Sequence, residues 1–140
     1  PIRMESEGII KIISILNALI QAFGNFSICL VIDGLDASIF EYMQGELLDI
    51  FSKSAKGQLI FTSHNLRALE MLDKDSIMLS TANPDRRYIR MKNVKATNNQ
   101  RDMYLRGITL GGQDEVIYEE TDSLKIARAF RKAGRMIQHE

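Results

Sequence analysis

Ser27-Ile28-Cys29-Leu30-Val31-Ile32-Asp33 places five consecutive apolar residues between a polar start and an acid. A run of that length, bounded by turn-forming residues, predicts a strand buried on both faces. Such strands belong to parallel sheets covered by helices, so this segment directs the chain toward an α/β fold. The flanking sequence agrees. Upstream, residues 8–23 (GIIKIISILNALIQAF) repeat apolar side chains at spacings of three and four, which predicts a helix. Its apolar side is wide, because Ile10 and Ile15 add to the main stripe. A face that broad is expected to need more than one neighbour. Gly24-Asn25 ends it with residues suited to positive φ.

Downstream, Ser38-Ile39-Phe40-Glu41 has the form of a capping box. It predicts a helix over about 39–53 with Ile39, Phe40, Met43, Leu47, Ile50 and Phe51 inward, stopped by Lys56-Gly57. Gln58-Leu59-Ile60-Phe61-Thr62 predicts a second short buried strand. Asn65 is placed to cap a short helix ending near Leu72. Ser76 to Thr81 predicts a third strand and Asn83-Pro84-Asp85 a turn. Arg87 to Lys92 alternates polar and apolar residues, as an edge strand does. Residues 93–121 are less regular, with a short helix expected near Gln100–Arg106 and a turn at Gly111-Gly112. Residues 122–136 predict a basic amphipathic helix capped by Thr121 or Asp122, with Leu124, Ile126, Ala127, Phe130 and Ala133 inward.

The fold expectation is therefore α/β: part of a three-layer parallel sheet with flanking helices, plus an edge hairpin and a basic C-terminal helix. Residues 1–92 are expected to form the α/β part and residues 93–140 an extension.

Composition narrows the function classes. The 140 residues carry 18 basic and 18 acidic side chains, for a formal net charge of zero. The zero is a sum of opposites. Residues 1–85 hold 6 basic against 11 acidic groups, and residues 86–140 hold 12 against 7. At 45% hydrophobic the chain is rich enough in apolar residues to build a core. The single cysteine, Cys29, excludes an internal disulfide framework. Uninterrupted apolar runs reach about five residues, against roughly 20 for a membrane span. No signal-peptide pattern opens the chain. The expectation is a soluble cytoplasmic protein, or a piece of one.

Three features carry candidate chemistry. Asp33 lies at the carboxyl end of the apolar strand, the edge where open parallel sheets bind ligands. A carboxylate there suits a hard cation such as Mg²⁺, although a helix cap or loop acid gives the same local pattern. His64, in Phe61-Thr62-Ser63-His64-Asn65, ends the next strand. A histidine at a strand end often has only a structural hydrogen bond to make. If the two strands are neighbours, however, Asp33 and His64 emerge on one crevice. Glu5-Ser6-Glu7-Gly8 precedes the first helix. It serves as an ordinary N-cap, and equally as an anion site with free N–H groups, a hydroxyl from Ser6 and close access at Gly8.

In this order the features resemble the C-terminal half of the nucleotide-binding domain of ABC-type and SMC-like P-loop ATPases, closest to bacterial stand-alone AAA-domain ATP-binding proteins. The resemblance covers about residues 5–80. It implies that Ser6-Glu7-Gly8 is the signature motif and SICLVID the Walker B strand, with Asp33 at Mg²⁺. It further implies that Leu35-Asp36-Ala37-Ser38 is the D-loop and His64 the switch histidine at the γ-phosphate. Ser6, Gly8 and Asp36 would then bind nucleotide across a homodimer, with His64 as the catalytic residue and ATP and Mg²⁺ as cofactors.

Two departures shape the expectation. No Gly-x-x-x-x-Gly-Lys-Ser/Thr sequence is present, so the chain is expected to be truncated before the P-loop. The residue after Asp33, usually a catalytic Glu in that family, is Gly34. Glycine cannot polarise water, so the chain is expected not to hydrolyse ATP alone. Truncation would also leave the first helix's apolar face uncovered and prone to artificial association.

Other readings remain. The basic residues Arg86, Arg87, Arg90, Lys92 and Lys95, then Lys125, Arg128, Arg131, Lys132 and Arg135, could contact nucleic acid in an interaction module. They could equally be solvated, or pair with the acidic run Asp114, Glu115, Glu119, Glu120 and Asp122. A Toprim-like metal-dependent nuclease domain would use Asp33 and Asp36, but it needs a further acid on another strand end.

Overall fold

A computed structural model describes residues 6–92, 99–119 and 121–137. Helix α1, Glu7–Gly24, is followed by strand β1, Cys29–Ile32, helix α2, Glu41–Ser54, and strand β2, Gln58–Phe61. Helix α3, Arg67–Met71, and a 3₁₀ turn at Lys74–Ser76 lead to strands β3, Leu79–Ser80, and β4, Tyr88–Ile89. Helices α4, Gln100–Leu110, and α5, Ser123–Ile137, follow.

The mixture is α/β in the broad sense, built on two small sheets. Strands β1 and β2 pair in parallel, with Cys29 opposite Gln58 and Ile32 opposite Phe61. The crossover is α2, the usual way to join parallel neighbours. Strands β3 and β4 form a separate antiparallel pair. The expected third strand, Ser76 to Thr81, thus shrinks to two residues and pairs with β4 in a hairpin around the expected turn at Asn83-Pro84-Asp85, apart from the first sheet. Lys74–Ser76 winds into a 3₁₀ turn, with Asp73 accepting from the Asp75 N–H, and removes the front of that segment.

One face of the first sheet carries Leu30, Ile32, Leu59 and Phe61, all half-buried; the other carries Cys29, Val31, Gln58 and Ile60, all exposed. Val31 is 69% exposed. The expectation of burial on both faces is therefore corrected. An apolar run can serve two covering layers, but only one layer of helices covers this sheet among the described residues. That layer supplies the main core, in which Leu35, Ile39 and Leu48 are buried against Ile12, Ile15, Ile32, Leu59 and Phe61. A second cluster joins Leu69, Ile77, Leu79 and Ile89, with Tyr104 and Ile117 packed against it.

Helix α1 matches its expected span. Its apolar face is only partly used: Leu19 and Ala22 are buried, while Ile13, Leu16 and Ile20 are exposed. By length and composition alone α1 is apolar enough to cross a membrane. Lys11 in its second turn nevertheless donates to the Gly34 carbonyl, and Ile12 and Ile15 join the core. The helix ends without a left-handed residue; Asn25 is extended, and its side chain accepts from the Ser27 N–H at 2.9 Å.

Helix α2 corrects two expectations. Ser38 does not cap it. Its φ is +63°, its hydroxyl donates to Glu7 at 3.1 Å, and α2 starts two residues after the expected first residue, Ile39. The inward face moves accordingly. Gln44 and Leu48, one turn apart, are buried, whereas Phe40, Met43 and Ile50 are exposed.

Helix α5 begins as expected, with Asp122 accepting from the Lys125 N–H at 3.0 Å. Its apolar residues do not face a core: Leu124 is 66% and Phe130 74% exposed. Two residues of the acidic run pair elsewhere. Glu115 meets Arg86 at 2.9 Å, and Asp114 meets Lys92; among the described residues only Asp122 of this run pairs with α5, through Lys125 at 3.6 Å. Lys95 and Glu120 lie outside the described residues. Helices α3 and α4 are tied by Glu70, which binds Arg101 at 2.9 Å and also Arg67. Hydrogen bonds from Arg101 and then Arg67 hold the Glu70 carboxyl below the usual carboxylate range.

Candidate functional site

Parallel pairing in register sets the site. Because Ile32 lies opposite Phe61, the residues that follow the two strands, Asp33 and Thr62, emerge together at the carboxyl edge of the sheet. The Thr62 hydroxyl donates to the Asp33 carboxylate and accepts from the Gly34 N–H at 2.7 Å. The Leu35 N–H donates to the Thr62 carbonyl at 2.9 Å. The loop after β1 is thereby fastened to the end of β2. Asp36 adds a second brace, its carboxylate accepting from the His64 N–H at 3.1 Å. Asp33 and His64 are thus brought onto one edge, the convergence that neighbouring strands were expected to produce.

Gln44 supports this edge from below. It is fully buried, and its amide donates to the Ser63 hydroxyl at 3.0 Å. The same hydroxyl accepts from the Asn65 N–H at 3.0 Å, and Asn65 accepts from the Arg67 N–H at 2.8 Å to start α3. Residues on both sides of His64 are therefore held, while the His64 side chain is exposed and makes no hydrogen bond among the described residues.

The start of α1 packs against the loop after β1. Ser6 caps α1, its hydroxyl accepting from the Ile9 N–H at 3.4 Å. Glu7 accepts from Ser38, and Lys11 reaches the Gly34 carbonyl. Gly8 is buried for a steric reason: a Cβ there would lie 2.2 Å from the Ser38 carbonyl oxygen. The close approach that Gly8 allows is made by this chain's own backbone. Gly34 has φ +60°, a region that L side chains enter at a cost of about 1–2 kcal/mol. Its place after Asp33 is a sharp left-handed turn that carries the chain from β1 into the loop.

The expected residues Ser6, Gly8, Asp33, Asp36 and His64 therefore belong to one cluster of three segments. Sequence reasoning missed Thr62, Ser63, Gln44 and Lys11, the residues that fasten those segments. Thr62 and Ser63 directly precede His64, so a hydroxyl pair at the strand end was the available signal.

Among the described residues no three His, Cys, Asp or Glu side chains come together to hold a metal ion. Asp33 is a single carboxylate whose one oxygen already accepts from Thr62. Mg²⁺ prefers six oxygens in octahedral array and is commonly bound through one or two carboxylates, water and substrate phosphates. The residues here do not form a self-sufficient cation site. The same absence leaves the nuclease reading without its acid cluster among the described residues. An open concavity lined by Arg128, Arg131, Lys132, Arg135 and Met136 lies on α5 and shares no residue with the Asp33–His64 cluster.

No family model matches this chain, and neither does any curated protein or solved structure.

Proposed function

We propose that this chain supplies one wall of an ATP site in an ABC/SMC-like P-loop ATPase, completed by a phosphate-binding loop outside these 140 residues. The observation that carries the reading is the meeting of three segments at one sheet edge: Asp33 after β1, His64 after β2, and the capped start of α1 against the intervening loop. In this reading the exposed His64 imidazole donates a hydrogen bond to a terminal phosphate oxygen. Gln44 and Ser63 position its loop. Asp33 gives one oxygen to a Mg²⁺ ion held mainly by the nucleotide, which supplies charge neutralisation at the phosphates when bound. The α1 N-terminus, with Ser6, faces the phosphate of ATP carried by a second copy. Gly34 provides no base for the attacking water, so turnover is slow or absent.

The test is made on the complete polypeptide encoded by the reading frame that contains these residues. The expected results are Mg²⁺-dependent binding of labelled ATP and ATP-dependent dimerisation by light scattering, with binding weakened at least tenfold in Asp33→Ala. A reading frame without a Gly-x-x-x-x-Gly-Lys-Ser/Thr loop overturns the proposal. So does Mg²⁺-dependent ATP turnover by residues 1–140 alone.

A further inference from the structure

The ATP-site reading makes no use of α5, whose surface has its own pattern. Ser123–Ile137 contains five cations and no acid. At about 100° per residue, Lys125, Arg128, Arg131, Lys132 and Arg135 fall within an arc of roughly 120°. Ile126 and Phe130 lie on the opposite side, with Ala127 and Ala133 beside them. Leu124, at the helix start, sits on the cationic side. A helix segregated in this way ordinarily buries its apolar face against a core. Here Phe130 is 74% exposed, and neither core cluster includes an α5 residue. Of these five cations, only Lys125 has a carboxylate partner among the described residues.

We propose that α5 is an interfacial helix that docks on an anionic lipid surface. Two observations must be satisfied together: a one-sided stripe of cations, four of the five without a carboxylate partner among the described residues, and an exposed apolar face on the other side. Nucleic-acid phosphates would use the cations and leave Phe130 and Ile126 in water. A headgroup boundary uses both, because the cations meet lipid phosphates and carboxylates while the apolar side chains enter the acyl region. Charge complementarity thus selects an anionic bilayer, and the segregated apolar face favours it over a purely ionic partner.

The experiment is co-sedimentation of the 140-residue protein with phosphatidylcholine vesicles, with and without about one third phosphatidylserine. The expected result is binding to the anionic vesicles alone, weakened by salt. Replacing Arg128, Arg131, Lys132 and Arg135 together by Gln should lower the partition coefficient roughly a thousandfold. Phe130→Ser keeps every charge and should lower it roughly tenfold. Because the chain has no tryptophan, Phe130→Trp gives a single-reporter protein whose emission should shift to the blue on anionic vesicles. Circular dichroism should show all variants folded, since no substituted residue belongs to either core cluster. Equal binding to neutral and anionic vesicles, or no vesicle binding, overturns the proposal. So does Phe130→Ser binding as tightly as the parent, the behaviour of a charge-only contact such as nucleic acid. Self-association through α5 without vesicle binding overturns it as well.

Discussion

Replacing Gly8 by Ala tests the central packing of the site. The added Cβ would sit 2.2 Å from the Ser38 carbonyl oxygen, 3.3 Å from its carbon and 3.5 Å from the Ile39 Cα. Real Cβ contacts essentially never fall under 3.0 Å, so α1 and the loop must part by roughly 0.8 Å in a close-packed region. Neither side yields easily. Ser38 is bonded to Glu7, and the adjoining Ile39 is buried and donates to the Asp36 carbonyl at 3.1 Å. On the other side, Ile12 and Ile15 anchor α1 in the core. Overpacking of this kind costs about 1–3 kcal/mol. Alanine recovers at most about 1 kcal/mol of helix propensity, and less in a first turn. The expected net loss is about 1–2 kcal/mol, read from urea denaturation followed at 222 nm, with a fall in Tm of about 3–8 °C. Gly24→Ala is the control. It lies in the same helix with nothing within 4 Å of its Cβ, so it should leave stability unchanged or raise it. If Gly8→Ala unfolds at the same urea concentration as the parent or higher, the Ser38 carbonyl does not press on Gly8. The packing described for the α1 start is then wrong.

Three further outcomes are expected. Gly57→Ala should cost more than Gly8→Ala in the same denaturation assay, because its Cβ meets the carbonyls of Ala22, Asn25 and Ile28 at 2.5–2.6 Å; an unchanged midpoint would contradict that junction. Gly34→Glu should cost about 1–2 kcal/mol through its positive φ, with no steric clash, since the nearest atom to a Cβ is 4.0 Å away. Equal stability of Gly34→Glu and the parent would show that the left-handed turn is absent. The depressed Glu70 carboxyl contributes stability above the ordinary carboxylate range and loses it as pH falls through the depressed value. Thermal melts of the parent and Glu70→Gln should therefore differ at neutral pH and converge in acid. The difference should be small, because the pair is solvent-exposed; a gap that widens in acid reverses the assigned sign.

Much of the local structure was legible because its signals are short-range. The spacing in residues 8–23 marked α1 to within a residue at each end, and the apolar runs around Val31 and Ile60 located both parallel strands. Asp33 and His64 could be picked out because each directly follows such a run. The failures share a cause. Ser38 reads as a cap from its spacing to Glu41, yet its hydroxyl is taken by Glu7, 31 residues earlier. Phe130 and Ile126 read as inward because amphipathicity fixes a face but not a neighbour. Asp114 and Glu115 read as partners for α5, but their carboxylates pair with Lys92 and Arg86.

By itself the sequence determined the types of the longer elements, the positions of the chain reversals and which polar residues stand at strand ends. These follow from side-chain period and backbone preference within a few residues. Tertiary structure alone decided that β1 and β2 are neighbours, in a register that sets Asp33 beside Thr62. It also decided that only one face of their sheet is covered, and that Gly8 admits the Ser38 carbonyl. Those outcomes depend on hydrogen bonds and steric fit between segments about 30 residues apart, which no local pattern encodes.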